Sequence, residues 1–228
     1  MIDNFKLFGI EHILSILSAV VIGIIFILLA KKYDKKKISI ILAITIILIR
    51  SVRYVFDINL GVFSVLDLVS LHICNIDLIL LVICLFKPNK KIFTFTFLVG
   101  IPTALCVALM PGKVHPDPGM LRAIFFIMSH TMLVMGSIYL KITYKYEISK
   151  KNLLFYYLFS FIGIIIMYIF DVITKSNYMY LLEAPAKTFL ATLYNTFGKY
   201  SYVLSIYLIL MILITVLYFI SKIKKTNV

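Results

Sequence analysis

Charge is scarce in this sequence. Asp, Glu, Lys and Arg make up only 14% of its 228 residues, while 62% are hydrophobic. A soluble domain of this length carries far more polar surface. The excess apolar surface must face a solvent other than water, and lipid is that solvent. Acidic residues are scarcer still, ten against 23 lysines and arginines, for a formal charge of +13. In a soluble chain that excess would suggest nucleic acid. Here the basic residues fall in short clusters between apolar runs, with no folded polar surface beside them, so no nucleic-acid partner is expected. The few cysteines, Cys74, Cys84 and Cys106, all lie inside apolar segments, which excludes a disulfide framework. Strict alternation of apolar and polar residues is missing, which excludes a transmembrane barrel. A cleavable leader is not expected either: the basic cluster follows the first apolar run instead of preceding it, and no small-residue cleavage site is evident. There is no internal repeat, low-complexity tract or composition shift. Residues 1–228 read as one domain.

The apolar runs are about 20 residues long, the length a helix needs to cross a bilayer. Backbone polar groups cannot go unpaired in lipid, so the runs must be helices. The pattern predicts an all-α bundle of seven transmembrane helices, at Phe8–Ala30, Ile38–Leu60, Val62–Phe86, Ile92–Met110, Leu121–Leu140, Leu153–Ile173 and Tyr202–Ile220. Lys31, Lys32, Lys35, Lys36 and Lys37 follow the first span. Lys87, Lys90 and Lys91 follow the third. Lys141, Lys145, Lys150 and Lys151 follow the fifth, and Lys222, Lys224 and Lys225 the seventh. These alternate connections hold 15 of the 23 basic residues. The positive-inside rule makes them cytoplasmic, so the N-terminus is expected outside and the C-terminus inside. The connection from Pro111 to Met120 holds three prolines and reads as an irregular loop. The tyrosine-rich stretch from Thr174 to Ser201 suits the headgroup level.

Ionisable groups inside spans are costly and usually face a bundle interior. In the second span Arg50, Arg53 and Asp57 are spaced i, i+3 and i+7, on one narrow helical face. Two readings stand: an internal ion pair with a snorkelling arginine, or a clamp for a phosphate or carboxylate. The third span carries Asp67, His72, Cys74, Asn75 and Asp77, too polar a set to meet lipid. Cys74 alone reads as a small inert hydrophobe; among these neighbours it also reads as a reactive thiol. The fifth span carries His130. Counted from the outer ends of their spans, Cys74, His130 and Arg50 lie at about the same depth at 1.5 Å per residue, so they can converge in one cavity. A buried thiol needs a base to become a nucleophile. His130 can take its proton, Asp67 or Asp77 can orient the ring, and an arginine or Asn75 can stabilise an oxyanion. Those parts suit acyl transfer through a thioester. His12, a turn inside the outer surface, caps such a cavity. The four histidines, His12, His72, His115 and His130, lack useful ligand spacing, so no metal centre is expected.

Several segments together resemble a known family. Phe8 to His12, the run Leu71-His72-Ile73-Cys74, His130 after Phe125-Phe126, and Asn177-Tyr178-Met179-Tyr180-Leu181 with Pro185 look like the YwaF-like bacterial integral membrane proteins. The resemblance keeps the order and spacing of these segments over nearly the whole chain. That family is similar to the mammalian transmembrane protein 164 acyltransferases, which move polyunsaturated acyl chains onto ether lysophospholipids. More distantly it resembles the androgen-induced membrane hydrolases of hydroxy-fatty-acid esters, which use a threonine and a histidine. The resemblance implies that Cys74 accepts the acyl chain and His130 is its partner. The chain departs from its relatives at Ser70, where many have proline, at Asn75, where aspartate is common, and at Glu183, near an expected lysine.

The reading is a lipid acyltransferase or acyl-ester hydrolase of the bacterial cytoplasmic membrane. Cys74 and His130 are its catalytic pair. Arg50, Arg53, Asp57, Asp67, His72, Asn75, Asp77 and His12 support or bind. Its partners are membrane lipids, and it needs no metal or cofactor. The alternatives are a small-anion transporter or channel, with Arg50, Arg53 and His130 lining a pathway, and a non-catalytic membrane scaffold, with the polar face as a helix contact.

Overall fold

The computed structural model describes residues 7–61, 63, 71–110, 120–185 and 188–223, and its secondary structure there is entirely helical. Six helices are long and apolar enough to cross a membrane: α1 (Ile10–Lys32), α2 (Lys35–Asn59), α4 (Lys90–Leu109), α5 (Met120–Tyr144), α6 (Lys150–Thr174) and α7 (Phe189–Lys222). Between α2 and α4 lies α3 (Ile73–Phe86), with 14 residues. That is about 21 Å of helix, short of the roughly 30 Å hydrocarbon core. The start of the expected third span, with Asp67, lies outside the described residues, as do His115 and the loop at 111–119.

The ends of these helices follow local chemistry. Asp34 caps α2, accepting from Lys37 N at 2.8 Å. Asn89 caps α4, accepting from Lys91 N and Ile92 N. Ser149 and Asn152 form a reciprocal capping box on α6. These three caps open the three helices that start beside lysine clusters. Lysines in a first turn oppose the helix dipole. Their presence there does nothing for the helices, and points to a topological role instead. The clusters share one end of the bundle. Tyr139 Oη donates to Lys35 O at 3.1 Å and Tyr156 Oη to Lys91 O at 3.3 Å, stitching the α1–α2 and α3–α4 connections to α5 and α6. Lys222 lies near enough for its charge to act on Lys141.

Two helices differ from a plain span. α4 contains a π turn at Thr96–Gly100, immediately before Pro102. α7 begins 13 residues before the expected Tyr202, because Thr188 caps it, accepting from Ala191 N at 3.3 Å. Gly198, at φ 73° and ψ 169°, breaks it, so a short tyrosine-bearing helix precedes the long apolar one.

α5 is the most enclosed helix and α7 the least. Leu42, Ile46, Leu81, Leu98 and Leu133 are fully buried around α5. α1 and α5 approach closely at Gly23, where an added Cβ would stand 2.6 Å from Met135 Cβ. Small residues allow this close packing between membrane helices. The outer faces of α6 and α7 expose rows of Leu, Ile and Phe such as Leu158, Ile166, Ile212 and Phe219. Only lipid tolerates that surface.

Gly23→Leu should therefore lower the midpoint of thermal aggregation in detergent, by the equivalent of about 1–3 kcal/mol of overpacking. Gly163→Leu is its control. A Cβ there meets nothing within 4 Å, so the midpoint should hold or rise. Equal behaviour of the two variants would contradict the α1–α5 seam.

Candidate functional site

At the end of the bundle opposite the lysines, α2, α3 and α5 bring polar groups together. Asp57 is fully buried. Arg122, from the first turn of α5, hydrogen-bonds to its Oδ1. Arg53, one turn before it on α2, stands 3.3 Å from its Oδ2. That second pair lacks hydrogen-bond alignment, so Arg53 Nε and Asp57 Oδ2 have no hydrogen-bond partner. Among the described residues Arg50 has no carboxylate partner. Its Nε donates to Tyr54 Oη at 3.0 Å and its Nη2 to Asn75 Oδ1 at 2.6 Å. Among the described residues this end thus holds three buried guanidiniums around one paired carboxylate, a net positive interior. On the α2 face Asp57 is in an internal ion pair, and Arg50 is a buried cation whose hydrogen-bond partners are neutral.

Arg50 joins the groups on α3 and α5. Cys74 is the second residue of α3 and 8% exposed. The backbone N–H groups of Cys74 and Asn75 point at its sulfur, and the Arg50 charge acts on it. Thiols at helix N-termini meet the positive end of the helix dipole. His130, 4% exposed, also lies in the field of Arg50, with Arg53 and His72 further contributors. Its Nδ1 is 2.8 Å from Phe126 O. A carbonyl only accepts, so Nδ1 carries the proton and Nε2 the lone pair. The Phe126 ring contacts His130 at 4.4 Å between centroids and lies 5.0 Å from the Arg53 guanidinium. Among the described residues no hydrogen bond joins Cys74 to His130; the two share Arg50.

The other expected residues take different places. Asp77 does not orient His130, a role filled by the Phe126 carbonyl. It is fully buried against Gly100 of the π turn, where a Cβ would fall on its carboxyl group, and neither of its oxygens has a hydrogen-bond partner. His12 ties α1 to α4, donating from Nε2 to Ala108 O at 2.7 Å and accepting from Phe8 N at 2.9 Å. His72 occupies the N-cap position of α3, and its Nδ1 accepts from Met179 N at 3.2 Å. The rings of Tyr178 and Tyr180 lie 5.2 and 5.9 Å from it.

That contact brings in a segment absent from the sequence-derived site. The turn after α6 is held by Asp171, whose Oδ1 accepts from Ser176 Oγ at 2.5 Å and Tyr178 N at 3.0 Å. Asn177 closes the other side through Leu182 N and Glu183 N. Met179 and Tyr180 have φ of 55° and 59°, conformations that cost non-glycine residues of order 1–3 kcal/mol and tend to cluster at functional sites. Burial pushes the Tyr180 phenol above its usual range, with the Cys74 side chain a lesser contributor. Tyr180 therefore stays a proton donor beside the start of α3. Arg122 was missed too. Its signal was a charge inside a span, at a position that read as a surface end.

Beside this cluster, a groove of about 270 Å³ runs between α2 and α3. Arg50, Tyr54 and Asn75 mark one end, and Ile46, Val82 and Ile83 the other. Ile47 and Ile79, at 41% and 54% exposure, leave it open sideways.

Removing a partner from a buried ion pair costs about 3–5 kcal/mol, because the remaining charge is left unpaired. Asp57→Asn should lower the thermal midpoint far more than Asn75→Ala, which strips only a neutral acceptor from Arg50. A midpoint equal to wild type would show that Asp57 does not bind α2 to α5.

The TMEM164 family model matches residues 7–219. No curated protein and no solved structure matches the chain.

Proposed function

The chain belongs to the TMEM164 family, a multi-pass membrane family, and from that premise we propose that it is a lipid acyltransferase, or acyl-ester hydrolase, working through a thioester on Cys74. The observation that carries this reading is the start of α3. There a thiol sits under two backbone N–H groups, next to an asparagine bonded to an arginine without a carboxylate. Negative charge developing on the sulfur or on an adjacent oxyanion would be stabilised there. The resemblance to acyl-transferring relatives points to the same cysteine.

The chemistry balances with groups at this site. The Cys74 sulfur attacks the ester carbonyl of a lipid while His130 Nε2 takes the thiol proton. The tetrahedral intermediate collapses, the ester C–O bond breaks, and the leaving alkoxide receives that proton. A lysolipid hydroxyl or a water then attacks the thioester. His130 takes its proton and returns it to the departing sulfur. Arg50 and the α3 N–H groups face the oxyanion in both steps, with Tyr180 a further donor. Arg53, which Asp57 satisfies only partly, adds positive charge behind His130. Closing the distance from Nε2 to the sulfur is the movement substrate binding must supply.

The same reading extends to placement. We take α3 as a seventh crossing, with the lysine end in the cytoplasm, the N-terminus outside and the Cys74 cluster in the outer half of a bacterial cytoplasmic membrane. The shared lysine end supports this. The whole chain would act as one domain.

An alkynyl fatty-acyl thioester incubated with purified protein should label wild type at the peptide bearing Cys74. Cys74→Ala should abolish that labelling, and His130→Ala should slow it by about 10²–10⁴-fold. Labelling that survives at full rate in both variants would sink the thioester mechanism.

A further inference from the structure

The groove between α2 and α3 has a feature that acyl transfer alone does not require. One end is cationic and the rest is apolar. From Ile46 to Tyr54 it follows α2 for about 12 Å. Its walls at Leu78, Ile79 and Val82 are aliphatic. At its polar end Arg50 is tethered by Tyr54 and Asn75, both neutral. Both helices run so that the apolar end points toward the lysine-bearing end of the bundle. A chain lying in the groove would therefore be parallel to the lipid chains around it, with its head at Arg50.

The depth of Arg50 selects the head. It lies nine residues before the end of α2, about 14 Å below it. A phosphodiester seated on Arg50 would have to carry its headgroup to that depth. A carboxylate ends its own chain and brings nothing further. With Nε and Nη2 engaged, Arg50 also has only part of its donor fork left, which suits a small anion.

We propose that the α2–α3 groove binds a free fatty acid, its carboxylate on Arg50 and the first part of its chain along Leu78, Ile79 and Val82. This deepens the reading above and rests on it only for the acid's origin: it is the class of product that hydrolysis of the Cys74 thioester would release. Binding itself does not involve the thiol. The open side at Ile47 and Ile79 gives the acid an exit into the bilayer.

The test is photolabelling of the full-length protein in detergent with a diazirine-bearing palmitate, followed by mapping of the labelled peptides. Label should concentrate on residues 46–54 and 75–83, and oleate should compete at least tenfold better than monoolein, which has the same chain and no charge. Ile79→Trp, a change at a lipid-exposed position, should abolish the labelling. Asn75→Asp should weaken it about tenfold by giving Arg50 a carboxylate of its own. Cys74→Ala should label like wild type, which separates this site from the thioester mechanism. Label spread evenly over α6 and α7, or equal competition by monoolein, would overturn the proposal. So would lysophosphatidate competing better than oleate, which would assign the groove to a phosphate head.

Discussion

The Asp57 carboxylate, shared between Arg122 of α5 and Arg53 of α2, is the contact on which the polar end of the bundle depends. In lipid no water can screen these charges, and neither helix can expose them. Asp57 fixes α2 against the most enclosed helix of the fold. It neutralises one guanidinium fully and a second in part. Arg50, two turns away on the same face, is left with uncharged partners. That remainder gives the interior its positive field, felt at both the Cys74 sulfur and the His130 ring.

Around this pair the structure separates two tasks. The lysine end is stitched by tyrosine hydroxyls to backbone carbonyls and by polar caps on α2, α4 and α6. The opposite end holds the unsatisfied groups: a carboxyl without hydrogen bonds at Asp77, a guanidinium without a carboxylate at Arg50, and left-handed residues at Met179 and Tyr180. Strain and incomplete pairing are concentrated where a ligand would complete them. The turn at Tyr178–Tyr180 closes over His72, so the start of α3 is covered at that end of the bundle, while Asn75 borders the sideways-open groove. A substrate arriving from within the bilayer would use that side.

Much of the fold was legible because hydropathy and lysine position are local properties. α1, α2, α5 and α6 start or end within a few residues of the expected spans. The long apolar part of α7, after the break at Gly198, starts within a few residues of the expected Tyr202; the short helix before the break was not read, since Tyr, Asn and Lys dilute its hydropathy. The π turn could not be read at all; Asp77 packs against its Gly100, a contact between distant segments. At the site, the Arg50 charge acts on both Cys74 and His130, but the groove takes in Arg50 and neither of the other two. What helix position could not tell was the partner of each group. Arg122 against Asp57, Asn75 against Arg50, Phe126 O in place of an aspartate on His130, and Met179 N on His72 are all choices of tertiary packing.

The central claim is a covalent acyl-enzyme on Cys74, and the mass of the intact protein tests it most directly. Purified wild type would be incubated with a phospholipid carrying one defined acyl chain at each position, then quenched in acid. The account predicts a species heavier by one acyl group. The added mass should map to the Cys74 peptide and vanish on treatment with neutral hydroxylamine. Lipid turnover without any adduct, or an adduct that persists in Cys74→Ala, would contradict it.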